Sequence, residues 1–154
     1  MMLARLALAV SIVALAGCVS TPQATSERDA GAKRFLARPD AAIIYVYRFD
    51  FASTEMASDD TVLYVDDRLI GATLPLTFFR FDVREGVHLL HGTGHDQGQL
   101  RLETRAGEIY FVSLQAASGV SDFRRVDAAT GKRDILRCCS LLENWVPGQR
   151  PVLR

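Results

Sequence analysis

The stretch AAIIYVYRFDF, Ala41 to Phe51, decides the fold. On an extended chain Ile43, Tyr45, Tyr47, Phe49 and Phe51 share one side, while Ile44, Val46 and Arg48 share the other. β-branched and aromatic residues recurring at period two predict a strand. Downstream, STEMASDD (Ser53–Asp60) reads as a polar loop. TVLYV (Thr61–Val65) and LIGATL (Leu69–Leu74) flank Asp66, Asp67 and Arg68 as a hairpin with a tight acidic turn. LTFFRFDV (Leu76–Val83) sets Phe79, Phe81 and Val83 against Phe78, Arg80 and Asp82, giving one apolar side and one mixed side.

The same period continues. A turn at Arg84, Glu85 and Gly86 launches VHLLHGT, and a turn around Asp96 to Gly98 launches QLRLETR. There Leu100 and Leu102 oppose Gln99, Arg101, Glu103 and Arg105, the alternation of a half-buried antiparallel strand. After the Ala106–Glu108 turn, IYFVSLQA is apolar on both sides and belongs in the interior of its sheet. Short strands at this spacing predict a mainly β protein, an antiparallel β-sandwich. Beyond VSDFRRVD (Val120–Asp127) the period changes. From Ala128 to Leu142, apolar residues at 135, 136, 139 and 142 predict a short C-terminal helix, with Lys132, Arg133 and Arg137 outside its stripe and Gly131 near its start. Two prolines and a glycine make ENWVPGQRPVLR an irregular tail.

The chain of 154 residues suits one domain with short appendages and a real hydrophobic core. Its 18 basic and 18 acidic side chains balance, so no global field favours nucleic acid or an acidic substrate.

The start of the chain carries a different signal. Arg5 precedes an apolar run from Leu6 to Ala16, shorter than the roughly 20 residues a membrane-spanning helix needs. The run ends in Leu15-Ala16-Gly17-Cys18, which matches the lipobox of bacterial lipoproteins. A thiolate is nucleophilic enough to form a thioether with a diacylglyceryl group, and the small Ala16 and Gly17 admit a protease to the preceding bond. The resemblance implies cleavage between Gly17 and Cys18, with diacylglycerol on the Cys18 sulfur and an acyl chain such as palmitate on its amino group. No other cofactor is expected. Two or more chains give stable anchoring. Val19 stands where Asp would favour retention in the inner membrane, so the resemblance implies the inner leaflet of the outer membrane, with the domain facing the periplasm. The expected organisation is a signal peptide at 1–17, a lipidated Cys18 with a flexible tether at 18–38, a sandwich at 39–143 and a tail at 144–154. Twenty flexible residues would reach roughly 25 Å from the membrane. A partly helical connector from Ala30 to Leu36 is the alternative for that segment.

VLYVDDRLIGATLPLTFFRFDVREGVHLL (Val62–Leu90) resembles the PEGA-like β-module: a short strand, an acidic turn, Gly and Thr before a proline, then Gly followed by His in the next hairpin. The longer stretch from Ile43 to about Leu142 is similar to a family of bacterial lipoproteins of uncharacterised function. The resemblance implies a prealbumin-like sandwich and supplies no catalytic residues. Gly71, Gly86 and Gly107 match positions of turns or close backbone approach. Asp67 departs from the usual glycine but tolerates left-handed geometry, and Leu74 is an extra residue before Pro75.

Several groups invite chemistry. His88, His91 and His95, with Asp96 beside the last, suggest zinc or copper. On a continuous strand His88 and His91 point to opposite faces, so a shared metal site needs a bulge near Gly92 or Gly94. Cys138 and Cys139 are adjacent. A bond between neighbours closes a strained ring, and on a helix their side chains diverge by about 100°. Free thiols are therefore expected, Cys139 packing as a small hydrophobe and Cys138 available for pairing between molecules. Arg124, Arg125, Lys132, Arg133 and Arg137 form a basic stretch that could meet anionic lipid or a cell-wall polymer, although Asp122, Asp127 and Asp134 dilute it to an ordinary solvated face. Tyr45, Tyr47, Phe49 and Phe51 read as core before they read as a sugar-stacking face.

Gly-x-Ser-x-Gly, Ser-x-x-Lys and His-Glu-x-x-His are absent, and Gly92, Gly94 and Gly98 have the wrong spacing to cradle phosphate. The expectation is a non-enzymatic envelope lipoprotein that binds or scaffolds at the membrane surface, its partners the lipid bilayer and an envelope protein or cell-wall polymer. Such a partner could meet a sheet edge or the Trp145 tail. A metal-binding accessory protein or enzyme using His88, His91 and His95 is the alternative.

Overall fold

The computed structural model describes residues 21–49, 61–92, 98–117 and 120–143. The segment 1–17, Cys18, Phe51, Gly94, His95, Asp96 and the tail from 144 onward, including Trp145, lie outside the described residues. In chain order the elements are α1 (Ser26–Ala32), β1 (Ala42–Arg48), β2 (Val62–Val65), β3 (Arg68–Ala72), β4 (Thr77–Val83), β5 (Gly86–His91), β6 (Gln99–Thr104), β7 (Ile109–Ala117), β8 (Val120–Val126), α2 (Ala128–Cys138) and β9 (Ser140–Leu141).

Two sheets stack as a sandwich, one ordered β8-β7-β1-β4-β9 and the other β3-β2-β5-β6. Every residue of β1 is buried because both of its faces are covered. Ile44 and Val46 enter the core between the sheets with Leu63, Val65, Phe79, Phe81 and Leu90. Ile43, Tyr45 and Tyr47 face the other way, into a second core with Ala32 of α1 and Ile135 of α2. Tyr45 and Tyr47 are thus core beneath the helices, with Phe49 packed against them, and not a platform for sugar rings. Tyr45 and Phe111 stack with centroids 5.2 Å apart, and the Tyr45 hydroxyl donates to the Ala32 carbonyl at 2.6 Å. Burial pushes the Tyr45 hydroxyl pKa above its ordinary value. Burial acts likewise on Tyr47, reinforced by the Asp134 carboxylate that accepts its hydrogen bond at 2.9 Å.

Most ladders are antiparallel, but β1 runs parallel to β7 and β4 parallel to β9, so the larger sheet is mixed. A parallel pair needs a long crossover, and here the whole second sheet lies between β1 and β7 in the chain. VSDFRRV forms β8, an edge strand that buries Ser121 and Phe123 and leaves Arg124 and Arg125 exposed. Charge on the outer residues of an edge strand discourages further pairing, and it also hides the strand in the sequence.

α2 is shorter than the apolar spacing predicts. Asp127 caps its start, accepting from the Thr130 amide at 2.9 Å, and this bond holds the Asp127 carboxyl below its ordinary pKa. The helix ends at Cys138, Cys139 is extended (φ −116°, ψ 142°), and the chain continues as β9 beside β4. Leu142 is buried by that strand, not by a helix, and Leu136 is 59% exposed.

The segment expected to be a tether is part of the fold. Thr25 caps α1, Ala32 is buried, and Gln23 bridges Leu142 antiparallel at the edge beyond β9. The Ala24 amide donates to the Leu141 carbonyl and the Glu143 amide to the Pro22 carbonyl, at 2.9 and 2.8 Å. Asp29 of α1 accepts from the Leu141 amide at 2.8 Å, and Arg28 pairs with Glu143. Among the described residues the folded body therefore begins at Thr21, not at residue 39, and the helix lies earlier than Ala30–Leu36. The polar composition concealed this because these contacts are backbone pairing and capping, which bury little apolar surface.

Candidate functional site

The β2–β3 hairpin turns through Asp66 and Asp67, both left-handed at φ 50° and 60°. These are the angles a two-residue turn of the I′ type requires, and Asp accepts them more readily than most residues. β2 also pairs with β5, matching Val65 to Leu90 and Tyr64 to His91, which carries the acidic turn over the two histidines.

His88 and His91 take opposite faces of β5, as their parity requires. His88 points inward and is 7% exposed. Its Nδ1 lies 2.6 Å from Asp66 Oδ2, and its Nε2 donates to the Arg84 carbonyl at 2.8 Å. Asp66 Oδ1 also accepts from the Leu89 amide at 2.9 Å. The carboxylate therefore ties the turn to both side chain and backbone of β5. His91 lies outward, stacked on Tyr64 with centroids 5.0 Å apart and planes 4° from parallel. Its Nδ1 donates to the Gly92 carbonyl at 2.7 Å, and its Nε2 sits 3.3 Å from Asp67 Oδ1 without hydrogen-bond geometry. His88 and His91 do not converge, and among the described residues no three His, Cys, Asp or Glu side chains are placed to hold a metal ion. The hairpin is a structural staple, with both ring nitrogens of His88 engaged.

Asp66 as the partner of His88 was missed in the sequence. The two are 22 positions apart and meet only through the β2–β5 register.

Cys138 and Cys139 are joined by a disulfide. The expectation of free thiols assumed that both stand on one helix. α2 instead stops at Cys138, and the extended backbone of Cys139 turns the second side chain back toward the first. Cys139 is 3% exposed and sits among the helix-side core residues, with its Sγ 3.9 Å from the Arg48 carbonyl oxygen. Alkylation of the denatured, unreduced protein is expected to modify neither cysteine, with both modified after reduction. Labelling of both before reduction would contradict the bond.

The basic stretch does not act as one patch. Arg124 pairs with Asp122 and Arg133 with Asp134. Arg125 lies over Tyr110, Lys132 over Phe35 and Arg137 over Phe49, at 5.2, 5.7 and 5.9 Å from the ring centroids.

A cleft of about 450 Å³ opens where β7 and β8 meet the start of α2. Its ionisable lining is Tyr110, Arg125 and Asp127, and each is engaged. Tyr110 donates to Glu108 at 2.6 Å and accepts from the Arg105 amide at 2.9 Å, and Asp127 caps α2. Burial raises the Tyr110 pKa, and the bond to Glu108 adds to the shift. Among the described residues no pair of carboxylates faces across this cleft.

The glycines match their predicted tasks. Gly86 and Gly107 have φ of 143° and 84°, and a Cβ on Gly71 would stand 3.0 Å from the Phe79 ring and 3.4 Å from Thr21. The loop holding Leu74 is closed by Thr77, whose hydroxyl donates to the Leu74 carbonyl at 2.5 Å, and by the Leu76 amide donating to the Arg48 carbonyl at 2.9 Å. Among the described residues no helix is long and apolar enough to cross a membrane.

No family model matches the chain, and no solved structure matches it. The chain is similar to an uncharacterised protein of Haemophilus influenzae, 28% identical over 127 residues that cover 79% of this chain and 74% of the relative.

Proposed function

We propose that this chain is an envelope lipoprotein, anchored through lipid on Cys18 to the inner leaflet of the outer membrane. Its PEGA-like sandwich is a non-enzymatic binding or scaffolding module facing the periplasm. The observation that carries this reading is the apolar run ending in Leu-Ala-Gly-Cys, followed within three residues by a side chain buried in the domain. Leu-Ala-Gly-Cys ends at Cys18, and the first described residue, Thr21, is already 3% exposed within the domain. Residues 1–17 then serve export and Cys18 becomes the mature terminus, its sulfur held by acyl chains that each add about 0.8 kcal/mol per buried methylene. A binding or scaffolding role is supported by the use of the domain's acids and bases as internal ties: Asp66 with His88, Tyr47 with Asp134, and Arg38 with Asp82. The partner is an envelope protein or a cell-wall polymer.

Cys18→Ala is expected to move the protein out of the membrane fraction, and globomycin is expected to accumulate the uncleaved, heavier form. Unchanged fractionation and mature mass in both would overturn the reading.

A further inference from the structure

We propose that the domain stands edge-on at the bilayer, with the seam between β3 and β9 applied to the lipid surface and the seam between β6 and β8 pointing away. This rests on the reading that Cys18 carries the lipid.

The edges of the two sheets meet along two seams. At one, β6 packs beside β8. At the other, the N-terminal segment lies between the edge strands β3 and β9 and bonds to both edges. The Thr21 hydroxyl donates to the Ala72 carbonyl of β3 at 2.8 Å, and the following residues pair with Leu141–Glu143 on the opposite sheet. The segment Thr21–Ala24 thus ties both sheets together at this seam. The absence of a side chain at Gly71 leaves room for Thr21 and for the Phe79 ring.

From Cys18 to Thr21 there are only three chain steps, which reach at most about 11 Å fully extended. A tether of roughly 25 Å would leave the domain free to tumble. The docked segment does not. Acyl chains buried in the bilayer must then hold Thr21, and the seam beside it, against the headgroups. Leu69 of β3 is 39% exposed on this edge strand and adds apolar surface there. In the larger sheet four strand spacings separate β9 from β8, which places the far seam about 19 Å further from the lipid.

The test uses the full chain, processed and lipidated, in vesicles of phosphatidylethanolamine and phosphatidylglycerol with bromines near the headgroups. In a Trp145→Phe background a single tryptophan is placed by Gln23→Trp beside the near seam, or by Arg101→Trp on the exposed side of β6. Strong loss of fluorescence is expected for Gln23→Trp, with Arg101→Trp left at its value in bromine-free vesicles. Inserting a flexible glycine-serine linker of about ten residues between Val19 and Thr21 is expected to abolish the difference. Equal quenching at the two positions in protein that still sediments with the vesicles would overturn the edge-on placement while leaving the lipid anchor standing. So would a difference that survives the linker. Failure to sediment with vesicles would overturn both.

Discussion

Gly131→Ala is expected to destabilise the protein by about 2 to 3 kcal/mol, although helix propensity alone favours alanine over glycine by about 1 kcal/mol. The sign is set by how closely α2 approaches β7. A Cβ on Gly131 would stand 2.4 Å from both Cβ and Cγ of Phe111. The Phe111 Cβ is bonded to the backbone of β7, and no rotation of the side chain moves it aside. Its ring is 1% exposed and packed against Tyr45 and Phe35. The helix must therefore lift, loosening Ile135, which is fully buried beneath it. Equilibrium urea unfolding measures the loss. Gly31→Ala in α1 is the control: nothing lies within 4 Å of its added methyl, and a gain of about 0.5 to 1 kcal/mol is expected. A Gly131→Ala protein as stable as the parent would contradict the close docking of α2.

Asp66→Ala is expected to lose about 3 kcal/mol, combining an unsatisfied Leu89 amide and His88 ring with a left-handed alanine in the turn. The Asp66 side chain is 32% exposed, so its pairing with His88 counts for less than a fully buried ion pair would. Asp66→Asn keeps a residue tolerant of φ 50° and an acceptor for the Leu89 amide, and is expected to lose about half as much. A midpoint for Asp66→Ala within about 0.5 kcal/mol of the parent would show that this carboxylate does not staple the hairpins.

Much of the sandwich was legible because its strands bury one alternate set of residues and expose the other. β6 shows this plainly with Leu100 and Leu102, and the acidic turn at Asp66 and Asp67 has the chemistry its angles demand. The parity of His88 and His91 was legible for the same reason, since a period of two fixes the face without knowledge of the partner strand. What escaped depends on pairing between distant segments. Nothing near Ile43 marks Ile109 as its parallel neighbour, and nothing near His88 marks Asp66 as its partner.

α1 was legible only at its end, Ala30–Ala32, where the helical alternative overlaps it, because SERDAGA buries only Ala32 and shows no apolar stripe. The end of α2 was misplaced because ILRCCSLL fits a helical spacing and a strand spacing over so short a run. Only the pairing of Ser140 and Leu141 with β4 decides between them. The change of backbone at Cys139 also reversed the expectation for the two cysteines. Gly131 was visible as an anomaly in a helix, but its cause, the Phe111 ring under the helix, was not.

The most direct test of the lipoprotein reading is the mass of the N-terminal peptide from protein extracted out of its native membranes. A peptide beginning at Cys18 with diacylglyceryl on sulfur and an acyl chain on the amino group is predicted. A chain that retains residues 1–17, or begins at an unmodified Cys18, would contradict it.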